Sequence, residues 1–319
     1  MTRMLTLDDV RRAAETLRPH LRPTPLRRSG LFPDRPVHLK LECWQPTGSF
    51  KVRGATSLLA SLTPAERARG VVAASAGNHA LGVAFAARAL GGVGATVFVP
   101  ATAPRAKVEK LRRFPVTVVE KGRTYDDAVE EARAFERRTG ATWVEAFDDP
   151  RTAAGQGTAG LEIAEELPDV GTVLVPVGGG GLFVGVATAV KALRPGARTV
   201  AVQPAASPAL RESLREGRAL LTFPAGPTLA DGLAGGIGEL VFAHRHLVDD
   251  VVTVTEEETA DAIASLVAED QVVSEGAGAV GVAALRAGRL ASDGRPVAVV
   301  VTGGNVDASV LARLLARFA

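Results

Sequence analysis

Short apolar runs alternate along the chain with longer stretches of helical periodicity. The runs fall at 37–41, 71–74, 95–99, 116–119, 172–175, 199–202 and 297–301. Several are continuous rather than alternating, as in Val71-Val72-Ala73-Ala74 and Val297-Ala298-Val299-Val300-Val301. Strands of that kind are buried on both faces, which means parallel sheets covered by helices. Near the start, Thr6 with Asp9 three residues later predicts a capped first helix over 7–18. The pattern as a whole predicts an α/β fold, doubly wound.

Residues 170–190 carry no charge and could pass for a membrane span. Pro176 and the run Gly178, Gly179, Gly180 and Gly181 would break such a helix, and each half reads as strand, then helix. No membrane segment is expected. At 319 residues and 46% hydrophobic, the chain can bury one large core or two linked ones. The formal charge is +2, and arginines interleave with acids, as in Arg133-Ala134-Phe135-Glu136-Arg137-Arg138. That is a solvated helix face rather than a nucleic-acid footprint. The single cysteine, Cys43, excludes an intrachain disulfide and reads as a buried structural thiol. It suits a reducing, cytoplasmic setting. Met1-Thr2-Arg3-Met4-Leu5 leads straight into an amphipathic helix, so no leader is expected.

Two segments carry candidate chemistry. The first is Gln45-Pro46-Thr47-Gly48-Ser49-Phe50-Lys51-Val52-Arg53-Gly54, where a lysine follows a small-polar-aromatic turn and opens a helix. Lysine is scarce, six against 31 arginines, so one in so constrained a setting is a candidate for fixing an aldehyde through its amine. The second is the glycine run at 178–181. It follows a strand and precedes Leu182-Phe183-Val184-Gly185-Val186-Ala187, so backbone N–H groups and a helix N-terminus can converge on a phosphate. A tight strand-to-helix crossing or a dinucleotide would use such a run too. The dinucleotide fingerprint wants Gly-x-Gly-x-x-Gly and an acidic residue about 20 positions on, and 199–203 holds no carboxylate.

Three further segments join these: Ser75-Ala76-Gly77-Asn78-His79, Ala154-Gly155-Gln156-Gly157-Thr158 and Thr302-Gly303-Gly304-Asn305. The five together, in this order, resemble the fold-type II pyridoxal-phosphate enzymes, the threonine/serine dehydratase and serine racemase family. The likeness runs over nearly the whole chain. It implies two open, doubly wound, mostly parallel sheets of the tryptophan synthase β-like kind, with a small domain inserted in the large one. A large cofactor domain would comprise residues 1–63 and 148–319, and a smaller mobile domain residues 64–147. Ser61-Leu62-Thr63-Pro64 and Asp148-Asp149-Pro150 suit the crossings. The chain ends with the helix after Asn305, which implies no appended C-terminal regulatory domain. A homo-oligomer, most simply a two-fold dimer, is expected from the family.

The resemblance also implies roles. Lys51 would hold pyridoxal 5'-phosphate and, once displaced by an amino-acid substrate, take the Cα proton. Phe50 would lie against the pyridine ring with Gly232 opposite; a core phenylalanine and a turn glycine are the competing readings. The glycines at 178–181 would bind the phosphate. Ser75, Ala76, Gly77, Asn78 and His79 would grip the substrate carboxylate, with Asn78 also near the cofactor's phenolic oxygen and His79 read first as a core histidine. Thr302 would meet the pyridine nitrogen, where a hydroxyl keeps the ring a moderate electron sink; a helix-capping threonine is the alternative.

Departures from the family pattern bear on substrate. Ala76 stands where serine racemising relatives place serine, and a methyl cannot return a proton, so racemisation should be minor. Gln203, Ser207 and Ala209 stand at a divalent-metal site of some relatives; without the carboxylates no metal is expected. Leu81 replaces a common glutamine, which either shifts substrate choice or only repacks the helix. Trp44 is read as lining a wider pocket or filling the domain seam. The expected reaction is elimination of water from an L-threonine- or L-serine-type substrate, giving a 2-oxo acid and ammonia. The rivals are β-replacement, disfavoured by Lys51-Val52-Arg53 and Asn78-His79, racemisation, and a non-catalytic pyridoxal-phosphate carrier.

Overall fold

A computed structural model describes residues 3–316. Met1 and Thr2, part of the start read above as free of a leader, lie outside the described residues. Among the described residues, ten strands form two sheets. They are β1 (Leu26–Arg28), β2 (Val37–Lys40), β3 (Val71–Ala74), β4 (Ala95–Val99), β5 (Thr117–Glu120), β6 (Thr142–Trp143), β7 (Thr172–Pro176), β8 (Arg198–Pro204), β9 (Asp250–Val254) and β10 (Val297–Val300). The larger sheet runs β1-β2-β10-β7-β8-β9 and the smaller β5-β4-β3-β6. Every pairing is parallel except β1 with β2.

The continuous apolar runs are explained by what lies on each face. In the larger sheet, Val173, Val175, Ala201, Ala298 and Val300 pack into a core with the helices Pro150–Glu166 and Gly181–Leu193. The intervening Leu174, Val200, Val202, Val297 and Val299 pack into a second core with Glu256–Asp270 and Gly276–Arg286. In the smaller sheet, Val71 and Ala73 face the helices Lys51–Ala60 and Asn78–Ala89, while Val72 and Ala74 face Tyr125–Thr139. Alternate residues thus enter different cores, and each fully buried Val or Leu contributes about 1.5–3 kcal/mol. The first helix runs Leu7–Leu17 behind a capping box of Thr6 and Asp9.

Three strands escape the sequence pattern. β1 is three residues long with two arginines, β6 has two residues, and β9 is an edge strand with only Val252 and Val254 buried. β1 and β6 are too short to show an apolar run, whereas β9 does carry one, with Val251 against the first core and Val252 and Val254 in the second, and the sequence reading left it out.

The segment Ala154–Thr158 lies within the helix Pro150–Glu166, and its glycines serve packing. A Cβ on Gly155 would sit 2.5 Å from the Arg53 carbonyl oxygen, and one on Gly157 2.8 Å from that of Gly185. Both neighbouring helices therefore approach this one backbone to backbone. One of them is Lys51–Ala60, whose Ala55, Leu58 and Leu59 also join a core of the smaller sheet. That helix is shared by the two halves of the molecule.

A buried ion cluster holds it there. Arg53 is 2% exposed. It donates to both carboxylate oxygens of Glu42 at 2.7 and 2.8 Å, to both of Glu162 at 2.6 and 2.7 Å, and to Thr158 Oγ1 at 2.8 Å. Lys40, fully buried, pairs with Glu162 at 2.7 Å. Burial alone would raise the Glu42 carboxyl, but the adjoining Arg53 and its hydrogen bonds hold it below the usual carboxylate range. No helix among the described residues is long and apolar enough to cross a membrane.

Arg53→Met is expected to cost about 3–5 kcal/mol of unfolding free energy, because it strands buried carboxylates. Urea unfolding with an unchanged m-value reads this directly. A loss below about 1 kcal/mol, the range of exposed ion pairs, would mean the cluster does not hold the helix.

Candidate active site

A cavity of about 590 Å³ lies where the chain leaves the carboxyl ends of strands in both sheets. After β3 come Ser75–His79, after β4 Pro100 and Thr102, after β7 the glycine run, and after β10 Thr302; all line it. Ligand sites of open α/β sheets form at such strand ends. Every residue expected from the sequence to meet cofactor or substrate reaches this one cavity: Phe50, Lys51, Ser75, Ala76, Gly77, Asn78, His79, Gly178, Gly179, Gly180, Gly181, Gly232 and Thr302.

Lys51 is fixed from several sides. Phe50 N–H donates to the Thr302 carbonyl at 3.0 Å, and Ser49 bridges to Gly303, so the lysine turn is stitched to the end of β10. Gly82, one turn into its helix, leaves room for the Lys51 backbone, which a Cβ there would meet at 3.0 Å. Lys51 Nζ donates to the Ala146 carbonyl at 3.0 Å and lies 5.1 Å from the centre of the Phe50 ring. Burial pushes its amine down to about 8, against the opposing pull of Glu145 and Glu275. A larger fraction is therefore a neutral nucleophile near pH 7 than in a free lysine.

The glycine run lines the same cavity. A Cβ on Gly179 would enter the Phe147 ring, one on Gly180 would strike Val241, and one on Gly181 the Phe147 carbonyl. Gly180 takes φ +97° and leads into the thirteen-residue helix Gly181–Leu193, whose free N–H groups suit an anion.

In the loop after β3, Gly77 N–H donates to Ser75 Oγ at 3.1 Å. The His79 ring lines the cavity, but its Nε2 is committed to the Val144 carbonyl at 2.9 Å, and burial followed by nearby Lys51 pushes it down to about 4. It is a neutral, spoken-for imidazole. Asn78 donates through Nδ2 to Glu275 Oε1 at 2.7 Å and accepts at Oδ1 from Asn305 Nδ2 at 2.8 Å. Glu275 also lines the cavity, as do Lys107, Lys110, Tyr125 and Phe147; sequence reasoning passed over all five. Glu275 sits in ordinary sequence just ahead of the helix Gly276–Arg286, and only the fold brings it to Asn78.

The departures also find places. Leu81 lines the cavity and is 8% exposed. Trp44 does not fit its expected role. It is 51% exposed, lies under the Arg27 guanidinium and is absent from the cavity wall. Cys43 is buried, and desolvation pushes its thiol up to about 12. Gln203 accepts at Oε1 from the N–H groups of Leu210 and Arg211 and donates from Nε2 to the Val177 carbonyl. It caps a helix with its own amide.

Residues 17–303 match the family described as pyridoxal-phosphate dependent enzyme. The chain belongs to that family. The L-threonine ammonia-lyase of Thermotoga maritima is 46% identical over 317 residues, covering 98% of this chain and 78% of that protein. The catabolic L-threonine dehydratase TdcB of Escherichia coli K12 is 38% identical, covering 97% and 96%. Among solved structures, maize serine racemase superposes with TM-score 0.92 at 32% identity over 99% and 98% of the two chains. The threonine deaminase of T.th. gives 0.88 at 39% over 95% and 99%. The residues present fit the family's cofactor. They offer an amine whose proton is held less tightly than usual and, lining the same cavity, backbone donors with no space for side chains.

In the cofactor-free protein, acylation of Lys51 by an amine-directed reagent is expected to rise with an inflexion near pH 8. The amine is charged below that value and neutral above it. Peptide mass spectrometry across pH 6–11 would follow the modification; an inflexion near the free-lysine value of about 10.4 would contradict the desolvated setting.

Proposed function

We propose that the protein is a pyridoxal-phosphate dependent ammonia-lyase converting L-threonine to 2-oxobutanoate and ammonia, with L-serine as a poorer substrate. The observation that carries this reading is that the Lys51 amine, which its desolvated setting makes easier to deprotonate, lines the same cavity as a glycine run with no space for side chains. The names of the 46% and 38% identical relatives support the reaction and the substrate. The wall near Ala76, Leu81, Ala103 and Pro104 is apolar and suits the threonine methyl.

Pyridoxal phosphate, when bound, supplies an electron sink that weakens the bonds at the substrate Cα. The chain's own residues do the rest. Lys51 Nζ would hold the cofactor and would be the base for the substrate Cα proton. The N–H groups of Gly178, Gly179, Gly180 and Gly181 would hold the phosphate. Ser75, Ala76, Gly77 and Asn78 would bind the substrate carboxylate, and Phe50 and Gly232 would contact the cofactor ring. The Thr302 hydroxyl would be the hydrogen-bond partner of the ring nitrogen, one that does not require that nitrogen to carry a proton. His79 orients the loop through Val144 and performs no proton transfer.

Racemisation is the second reading, favoured by the likeness to maize serine racemase. It needs a proton donor opposite Lys51, and Ala76 offers only a methyl. The same proposal takes residues 64–147 as a domain able to move against 1–63 with 148–319, the protein as cytoplasmic and its working form as a two-fold dimer.

With L- and D-threonine and serine supplied, 2-oxobutanoate and ammonia are expected in equal amounts from L-threonine. Lys51→Ala is expected to lower the rate about a thousandfold or more. D-serine appearing from L-serine as fast as 2-oxo acid would favour the racemase. No 2-oxo acid from any L-β-hydroxy amino acid would sink the lyase.

A further inference from the structure

Glu275 is unassigned by the roles above, yet it lines the cavity. It is 9% exposed. Its carboxylate fills the space beside Gly303, where any Cβ would strike it, and its own N–H donates to the Gly303 carbonyl at 3.0 Å. One oxygen accepts from Asn78 Nδ2 at 2.7 Å. The other face of the Asn78 amide is held by Asn305 Nδ2, which also donates to the Thr47 carbonyl at 2.8 Å. A carboxylate can only accept, and Asn305 here only donates, so the Asn78 amide has one orientation in which both bonds form. Asn78 hangs from the smaller sheet's β3 loop. Glu275, Asn305 and Thr47 belong to segments around β10 and the lysine turn.

We propose that Glu275 is a positioning residue: its carboxylate fixes the Asn78 amide across the seam between the two sheets, and so sets the β3 loop against cofactor and substrate. This rests on the reading of Asn78 as a cofactor and substrate contact. The charge matters, since a bond to an ionised acceptor is roughly twice as strong as a neutral one. Burial, then Asp231, pushes the Glu275 carboxyl up to about 7, against Asn78, Lys107 and the Asn305 N–H. The charged and titratable groups facing it are Asp231 from the turn Asp231–Leu233, Lys107 from the helix Arg105–Arg112, Lys51 from its own helix, and Cys43 from the turn Glu42–Trp44. Asp307 lines the same cavity. Glu275 is ionised above its midpoint, where the Asn78 bond is charge-assisted, and neutral below it, where the hold weakens.

The test uses cofactor-loaded parent, Glu275→Gln, Asn78→Ala and the double variant. Amide hydrogen exchange of residues 75–79, corrected for intrinsic rates, is followed with pH, alongside cofactor affinity from visible absorbance and kcat and KM for L-threonine. In Glu275→Gln above pH 7, exchange at 75–79 is expected to be about tenfold faster and cofactor binding about tenfold weaker, as for loss of one charge-assisted bond. The parent should approach the variant as pH falls through 7. In the Asn78→Ala background the Glu275 change should add nothing, because Glu275 acts through Asn78. Unchanged exchange and affinity, or additive effects in the double variant, would each overturn the assignment. Should Glu275→Gln fail to fold, Glu275→Asp, which keeps the charge but shortens the reach to Asn78, is measured in its place, with the same losses expected and the same outcomes overturning the assignment. A parent that shows this behaviour yet releases no 2-oxobutanoate upholds Glu275 and refutes the substrate reading instead.

Discussion

A guanidinium cannot be buried without partners, and the place of Arg53 follows from that. Held by Glu42 beyond β2 and by Glu162 on the helix Pro150–Glu166, it pins a helix that also packs on the smaller sheet. Lys51 lies two residues earlier, at the first turn of that helix. Its backbone position is then set by the ion cluster below, the stitch of Phe50 and Ser49 to the end of β10, and the close passage of Gly82. Disturbing any one of these moves the amine that faces the cavity.

Two cations on one helix, Arg53 buried and Lys51 partly buried, have their proton affinities shifted in opposite directions, and the partner decides which. Arg53 meets carboxylates, which outweigh desolvation and raise its affinity for the proton. Lys51 meets only the Ala146 carbonyl directly, with Glu145 and Glu275 acting from a distance, so desolvation wins and the proton is held loosely. Burial alone makes neither a structural nor a reactive cation. Reactivity comes where the fold withholds the counter-ion.

Most of the fold was legible because its strands are buried on both faces and leave unbroken apolar runs. β7, β8 and β10 could be read to within two residues of their ends, whereas β1 and β6 are too short to leave such a run; β9 carries Val251-Val252-Thr253-Val254, which the sequence reading left out. The candidate site was legible where chemistry depends on local sequence: the lysine after its turn, the glycines that admit no Cβ, and the β3 loop. Glu275 and the Asn305 side chain were not, because their partners lie 197 and 227 positions away along the chain. Trp44 misled for the opposite reason. A large aromatic next to a motif suggests a pocket wall, but the 3-10 turn Glu42–Trp44 directs it outward beneath Arg27. The glycines of Ala154–Thr158 were visible as a motif, and their purpose, close helix crossings, needed the neighbouring helices.

On the proposed function Lys51, and no other lysine of the six, engages the cofactor. Reduction of the pyridoxal-phosphate-loaded protein with borohydride, followed by peptide mapping, identifies the lysine concerned. A single pyridoxyl-labelled peptide is expected, the one carrying Lys51. Label on Lys107 or Lys110, which line the same cavity, with Lys51 unmodified, would contradict it.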